Sequence, residues 1–168
     1  MSDAATTRTI SEVHVNVAEF AVARDGGVLA TVGLGSCVAI MLWDPATRLA
    51  AMAHILLPHE ALSRERERPA KFSTTAVPLL VGAMREHGAA GPFEAKLVGG
   101  ASMFGALLGT GGVNMGERNV VSARRALSAA GIPVVAEEVG GDYGRTVYFD
   151  SSNGAVRVTS IRHAERVL

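Results

Sequence analysis

The stretch CVAIMLWDPATRLAAMAHILL, residues 37 to 57, constrains the fold more than any other part of this chain. Two apolar runs flank DPATR, in which Asp44 and Pro45 are residue types favoured at the first and second positions of a type I turn. The runs VAIMLW and LAAMAHIL therefore read as two neighbouring strands; both fall well short of the ~20 residues that a membrane span needs. Side chains on a strand alternate between faces, so the register of such a hairpin decides which residues meet. Setting Trp43 opposite Arg48 places Cys37 directly across from His54, Ala39 across from Met52 and Met41 across from Ala50. A register displaced by two residues keeps Cys37 and His54 on a common face, whereas a displacement by one separates them.

The rest of the chain adds strands around two helices. Val13, Val15 and Val17 alternate with His14, Asn16 and Ala18 as a strand, and FAVA precedes the turn signal DGG at 25–27. VLATV at 28–32 reads as a short strand that ends in the loop GLGS. A helix is expected after Lys71, capped by Thr74 or Thr75, with Pro78 near its first turn and Leu80, Met84 and His87 at helical spacing before Gly88. A second helix near 117–130 carries Val120, Ala123, Leu127 and Ala130 on one stripe and ends at Gly131 and Pro133. AKLVGG, VVAEEV, RTVYFD and AVRVTSI are further strands, the last two joined through an Asn-Gly turn. The expected fold is α/β: a single domain over residues 13–168, with a mixed β-sheet and helices packed over it as a layered sandwich, preceded by a polar tail at 1–12.

Charge and composition exclude several functions. Sixteen basic residues balance sixteen acidic ones, so no net field attracts nucleic acid. The one dense charge cluster, RERER at 64–68, alternates in sign and reads as a solvated loop, a partner-docking surface being the lesser alternative. The N-terminus has no apolar run behind a basic start, so export is not expected, and the single unpaired Cys suits a reducing cytoplasm. No His or Cys pair has metal-ligand spacing; His14, His59, His87 and His163 read as surface or packing residues, and no metal or cofactor is expected. The glycine-rich run GTGGVNMG at 109–116 lacks the Lys-Ser/Thr ending of a phosphate cradle and reads as a loop.

Cys37 has two readings at this level. A lone Cys beside an apolar strand is commonly an inert core residue, and His54 and Thr31 are equally at home as a core histidine and a strand threonine. The chemical reading is a nucleophilic Cys37 whose proton passes to the imidazole of His54. Thr31, at the end of the preceding strand, then offers a hydroxyl to orient the ring, which divides the roles as other triads do. Gly33 and Gly35 open backbone conformations to the loop, so that the amides of Gly35, Ser36 and Cys37 can converge on an oxyanion.

The segments GLGSCVAIMLWDP, AMAHILLP, KFSTTAVPLL, AKLVGGASMF, GERN and GIPVVAEEVGGDYGRTVYF follow one another in the order found in a known family. On these motifs the chain resembles CheD, the bacterial chemoreceptor glutamine deamidases. The resemblance covers roughly residues 13–160; it departs at Phe72, where the family commonly has Tyr, and in the charged stretch EALSRERER. It implies Cys37 as nucleophile, His54 as base and Thr31 as the group that orients it. It also implies a thioester route from receptor glutamine to glutamate with loss of ammonia. The implied partners are the cytoplasmic helical domains of chemoreceptors and a CheC-type phosphatase. The alternatives are a non-catalytic chemotaxis adaptor that binds the same partners, and a redox-sensing thiol.

Overall fold

The structure, a computed structural model, describes residues 11–104 and 113–168. The first ten residues of the expected tail, and residues 109–112 of the glycine-rich run, lie outside the described residues. Among the described residues ten strands form two five-stranded sheets. The first sheet has the order β1 (Glu12–His14), β3 (Val28–Leu34), β8 (Arg145–Asp150), β9 (Val156–Thr159), β10 (Arg166–Val167), and only the β1–β3 pair is parallel. The second has the order β2 (Phe20–Ala23), β5 (Leu49–Ile55), β4 (Val38–Asp44), β6 (Glu94–Gly99), β7 (Val134–Val139), with β6–β7 parallel. The expected layered α/β sandwich with mixed strand pairing is present, its strands divided between two sheets.

The helices α1 (Ser73–Glu86) and α2 (Met115–Ala129) cover the outer face of the second sheet, while the first sheet covers its inner face. Period-two alternation then sorts β4 and β5 residue by residue. Val38, Ile40, Leu42, Leu49, Ala51, Ala53 and Ile55 pack beneath Val77, Leu80, Val120 and Leu127 of the helices. Cys37, Ala39, Met41, Ala50 and Met52 face the other way, against Leu29, Val147 and Phe149 of the first sheet. The hairpin is buried on both faces because it is the middle layer of three, which is why both strands read as unbroken apolar runs.

The β4–β5 register differs from the expected one by two residues. Ala39 pairs with His54, Met41 with Met52, Trp43 with Ala50 and Asp44 with Leu49. Asp44 is responsible: its Oδ1 accepts from Ala46 N at 3.1 Å, its Oδ2 from Thr47 Oγ1 at 2.8 Å, and its carbonyl from Arg48 N at 2.8 Å. These bonds hold Asp44 as the last ladder residue and bend Arg48 into the left-handed region (φ 55°), so Arg48 closes the turn and does not open the strand.

Other boundaries move for local reasons. β1 ends at His14, not Val17, because Ala18 takes φ 63° and the chain turns toward β2. β3 runs through Gly33 to Leu34, with an irregularity between Thr31 and Leu34 that leaves a loop of only 35–37 before β4. α1 begins at Ser73 with Phe72 as N-cap and no side-chain cap, since Thr75 Oγ1 instead donates to Pro69 O at 2.6 Å. Pro78 lies within α1, beyond its first turn. α2 is capped by Asn114, whose side chain accepts from Glu117 N at 3.0 Å; its buried stripe is Val120, Ala123 and Leu127, with Ala130 exposed.

Candidate active site

Cys37 is the residue immediately before β4, and His54 is the penultimate residue of β5. In the observed register the residue across from His54 is Ala39, so Cys37 stands diagonally from the imidazole on the same face, a neighbour relation on the order of 7 Å between backbones and not a direct opposition. Both are buried, at 9 % and 1 % exposure. The displacement by two residues keeps both side chains on one face.

Thr31 comes from the other sheet. Its neighbours on the inner face of β3 and β8 are Leu29, Val147 and Phe149, so its side chain crosses the gap between the sheets toward β5. Thr31 Oγ1 lies 2.8 Å from His54 Nδ1 and 2.6 Å from the carbonyl oxygen of Val15. A hydroxyl has one proton. The short contact to an oxygen that only accepts takes it, so Thr31 donates to Val15 and accepts from His54 Nδ1–H. That assigns the tautomer of the neutral ring, and it leaves Nε2 with a lone pair. His54 Nε2 is buried and has no hydrogen-bond partner among the described residues, Cys37 Sγ included. An unpaired acceptor in the interior costs about 1–3 kcal/mol, and such a lone pair is free to take a proton.

Burial sets the resting protonation of both groups. It lowers the His54 imidazole below its ordinary pKa of 6.5, the nearby Val15 carbonyl opposing this. It raises the Cys37 thiol above its ordinary 9.0, and the amide of Cys37 itself opposes that rise. Both shifts favour the uncharged forms, thiol and neutral imidazole.

The loop before Cys37 is held from below. Gly100 N donates to Cys37 O at 2.8 Å and Ala101 N donates to Gly35 O at 2.8 Å. A Cβ on Gly99, whose φ is 116°, would lie 2.3 Å from Cys37 O, so only glycine admits this approach. Of the amides expected to face an oxyanion, that of Gly35 already donates to Gly33 O at 3.0 Å. Ser36 contributes its carbonyl to a bond from Asn119 Nδ2 at 2.9 Å.

Sequence patterning alone does not single out Asn119. Its signal was a polar residue on the apolar stripe of α2 beside Val120 and Ala123. The remaining histidines are dispersed: His14 pairs with Glu12, His59 caps the short turn at Glu60–Leu62, His87 bonds the Ala83 carbonyl and His163 stacks on Tyr143. Among the described residues no three His, Cys, Asp or Glu side chains gather as metal ligands, and no helix is long and apolar enough to cross a membrane.

A three-layer fold with a thiol, an imidazole of fixed tautomer and an orienting hydroxyl buried between its sheets carries the groups required by thiol-dependent hydrolysis of an acyl compound. Comparison with known proteins narrows this class. The family described as CheD chemotactic sensory transduction matches residues 56–160. The chain is 39 % identical over 158 residues to a "Probable chemoreceptor glutamine deamidase CheD" of Caldanaerobacter subterraneus, covering 93 % of this chain and 97 % of that one. A relative of the same description from Geobacter metallireducens is 44 % identical over 152 residues, covering 89 % and 94 %. One from Pyrococcus abyssi is 42 % identical over 151 residues, covering 89 % and 92 %. The chain belongs to the CheD family.

Proposed function

We propose that this protein is a protein-glutamine deamidase that converts side-chain carboxamides of chemoreceptors to carboxylates, with Cys37 as nucleophile, His54 as general base and acid, and Thr31 as the group that holds the ring. The observation that carries this reading is the buried, unpaired His54 Nε2 on the face it shares with Cys37, its tautomer set by Thr31. Membership of a family whose members bear the deamidase description supports the substrate class.

The chemistry runs in two halves. As Cys37 sulfur bonds to the carboxamide carbon, the thiol proton passes to His54 Nε2, and the oxyanion faces the amides of Ser36 and Cys37. The imidazolium returns that proton to the carboxamide nitrogen, the C–N bond breaks, and ammonia leaves a thioester. Water then attacks the thioester carbon while His54 takes one of its protons; the C–S bond breaks and the sulfur recovers that proton, which frees glutamate. Thr31 acts throughout by keeping Nδ1 protonated and Nε2 available.

The resemblance implies carboxamides on the receptors' cytoplasmic helical domains, a substrate met in the cytoplasm, and a CheC-type phosphatase as a second partner competing with receptors. Ammonia release from a purified receptor cytoplasmic fragment, wild type against Cys37→Ala, tests the enzyme reading. Release by wild type alone is expected, with a gain of ~1 Da per converted glutamine, the mass difference between an amide and the acid that replaces it. Release no greater than the protein-free background by both proteins returns the chain to the adaptor reading, and equal release above it removes Cys37 as nucleophile. Pull-down of a CheC-type protein by the Cys37→Ala variant tests the second partner.

A further inference from the structure

We propose that Asn119 is a positioning residue of this site: its side-chain amide acts as the rung that sets the spacing between the Cys37 segment and the His54 strand. The proposal rests on the assignment of Cys37 and His54 given above.

The β4–β5 ladder stops at Val38 and Ile55, one residue short of Cys37. Backbone pairing with β5 therefore does not fix the sulfur's distance from the imidazole. Asn119, fully buried in α2, spans the place where the ladder ends. Its Nδ2 donates to Ser36 O at 2.9 Å and to Leu56 O at 3.0 Å, the residue before Cys37 and the second residue after His54. Two carbonyl oxygens cannot bond to each other, and a single NH₂ carries the two protons that join them. Its own Oδ1 is buried and has no partner among the described residues, so this amide serves the site through its two donors.

The helix end that carries Asn119 is seated on the same turn that holds Cys37. A Cβ on Gly116 would lie 2.4 Å from Ala101 O, and one on Gly100 would lie 2.3 Å from Val120 Cγ2, so α2 meets the Gly99–Gly100 turn at backbone contact distance. That turn in turn donates from Gly100 N to Cys37 O. Asn119 thus reports the position of a rigid helix to both sides of the site at once. A shift of about 1 Å between reacting groups is worth roughly 10²-fold in rate, which is the scale on which this rung acts.

The test compares the full-length wild type with Asn119→Asp, which keeps the shape and has at most one donor for the two carbonyls, and Asn119→Leu, which keeps an apolar filling and loses both donors. Thermal melts establish which variants fold. Ammonia release from a receptor cytoplasmic fragment gives kcat and KM separately, and iodoacetamide alkylation at neutral pH reads the reactivity of Cys37. The expected result in either folded variant is a kcat lower by about 10²-fold with KM within about twofold, and alkylation slowed to the rate of a His54→Gln control. A folded variant with a lower melting temperature but wild-type kcat and wild-type alkylation makes Asn119 a brace for stability alone and overturns the proposal. If Asn119→Asp does not fold, Asn119→Leu decides. Ammonia release by Cys37→Ala in the same series instead removes the underlying assignment, an outcome distinct from failure of the Asn119 variants.

Discussion

Replacing Thr31 by Val keeps the branched shape at a position only 1 % exposed and removes one atom's hydrogen-bonding capacity. Two buried groups then lose their partner: the Val15 carbonyl, now 2.6 Å from the hydroxyl, and His54 Nδ1–H, at 2.8 Å. Each orphan costs about 1–3 kcal/mol, and the extra buried methyl returns about 1 kcal/mol. The net is about 1–5 kcal/mol, near 3 at its centre, against a total stability of roughly 5–15 kcal/mol, so the variant folds. For a chain of this length each kcal/mol moves the melting temperature by about 2–4 °C, which puts the expected fall at about 6–12 °C by calorimetry. Catalysis falls separately. Without the hydroxyl the Nδ1 proton loses its 2.8 Å acceptor, the tautomer with the proton on Nε2 gains population, and that ring cannot accept the thiol proton, so kcat drops by on the order of 10- to 100-fold. Thr31→Ser, which loses one methyl worth about 1 kcal/mol and keeps the hydroxyl, retains most of the rate. A Thr31→Val protein with wild-type melting temperature and wild-type ammonia release would refute both the tautomer assignment and the role given to Thr31.

Stability against pH follows from the two shifted groups. The His54 pKa is lowered on folding, so the unfolded chain binds the extra proton, and stability falls as pH drops below 6.5 toward the folded value. The Cys37 pKa is raised on folding, so the unfolded chain loses its proton first, and stability falls as pH rises above 9.0; their joint contribution is flat between, which denaturant titrations across that window check. The acid limb of kcat/KM is expected below pH 6.5 for the same reason, and an acid limb at higher pH contradicts the buried, neutral base. Gly99→Ala drives a methyl to 2.3 Å from Cys37 O at a φ of 116°, and is expected to cost more in ammonia release than the surface change Gly82→Ala, whose Cβ meets nothing within 4 Å. Gly154→Ala puts a Cβ 2.5 Å from Trp43 Cδ2 and displaces the only tryptophan from its 3.1 Å bond to the Ser151 carbonyl, which intrinsic fluorescence reports without interference.

What sequence alone determined here is what local geometry repeats. The turn at Asp44-Pro45 and two apolar runs place Cys37 and His54 on one face, because a strand's period of two holds whatever the register, provided the displacement is even. The Asn-Gly hairpin, the β6 strand and the buried stripe of α2 were legible for the same reason: each is written in neighbours three, four or two residues apart.

Only the tertiary structure decided the rest. The register itself depended on the three hydrogen bonds of Asp44 and the left-handed Arg48, which turn propensity does not resolve to within two residues. The split into two sheets brought Thr31 of β3 against His54 of β5 across an interface, a contact between strands that do not pair. Asn119 reaches Ser36 and Leu56 from positions 83 and 63 residues distant, and no periodicity in a linear chain carries that information, because it arises from how the helical layer seats on the sheet beneath it.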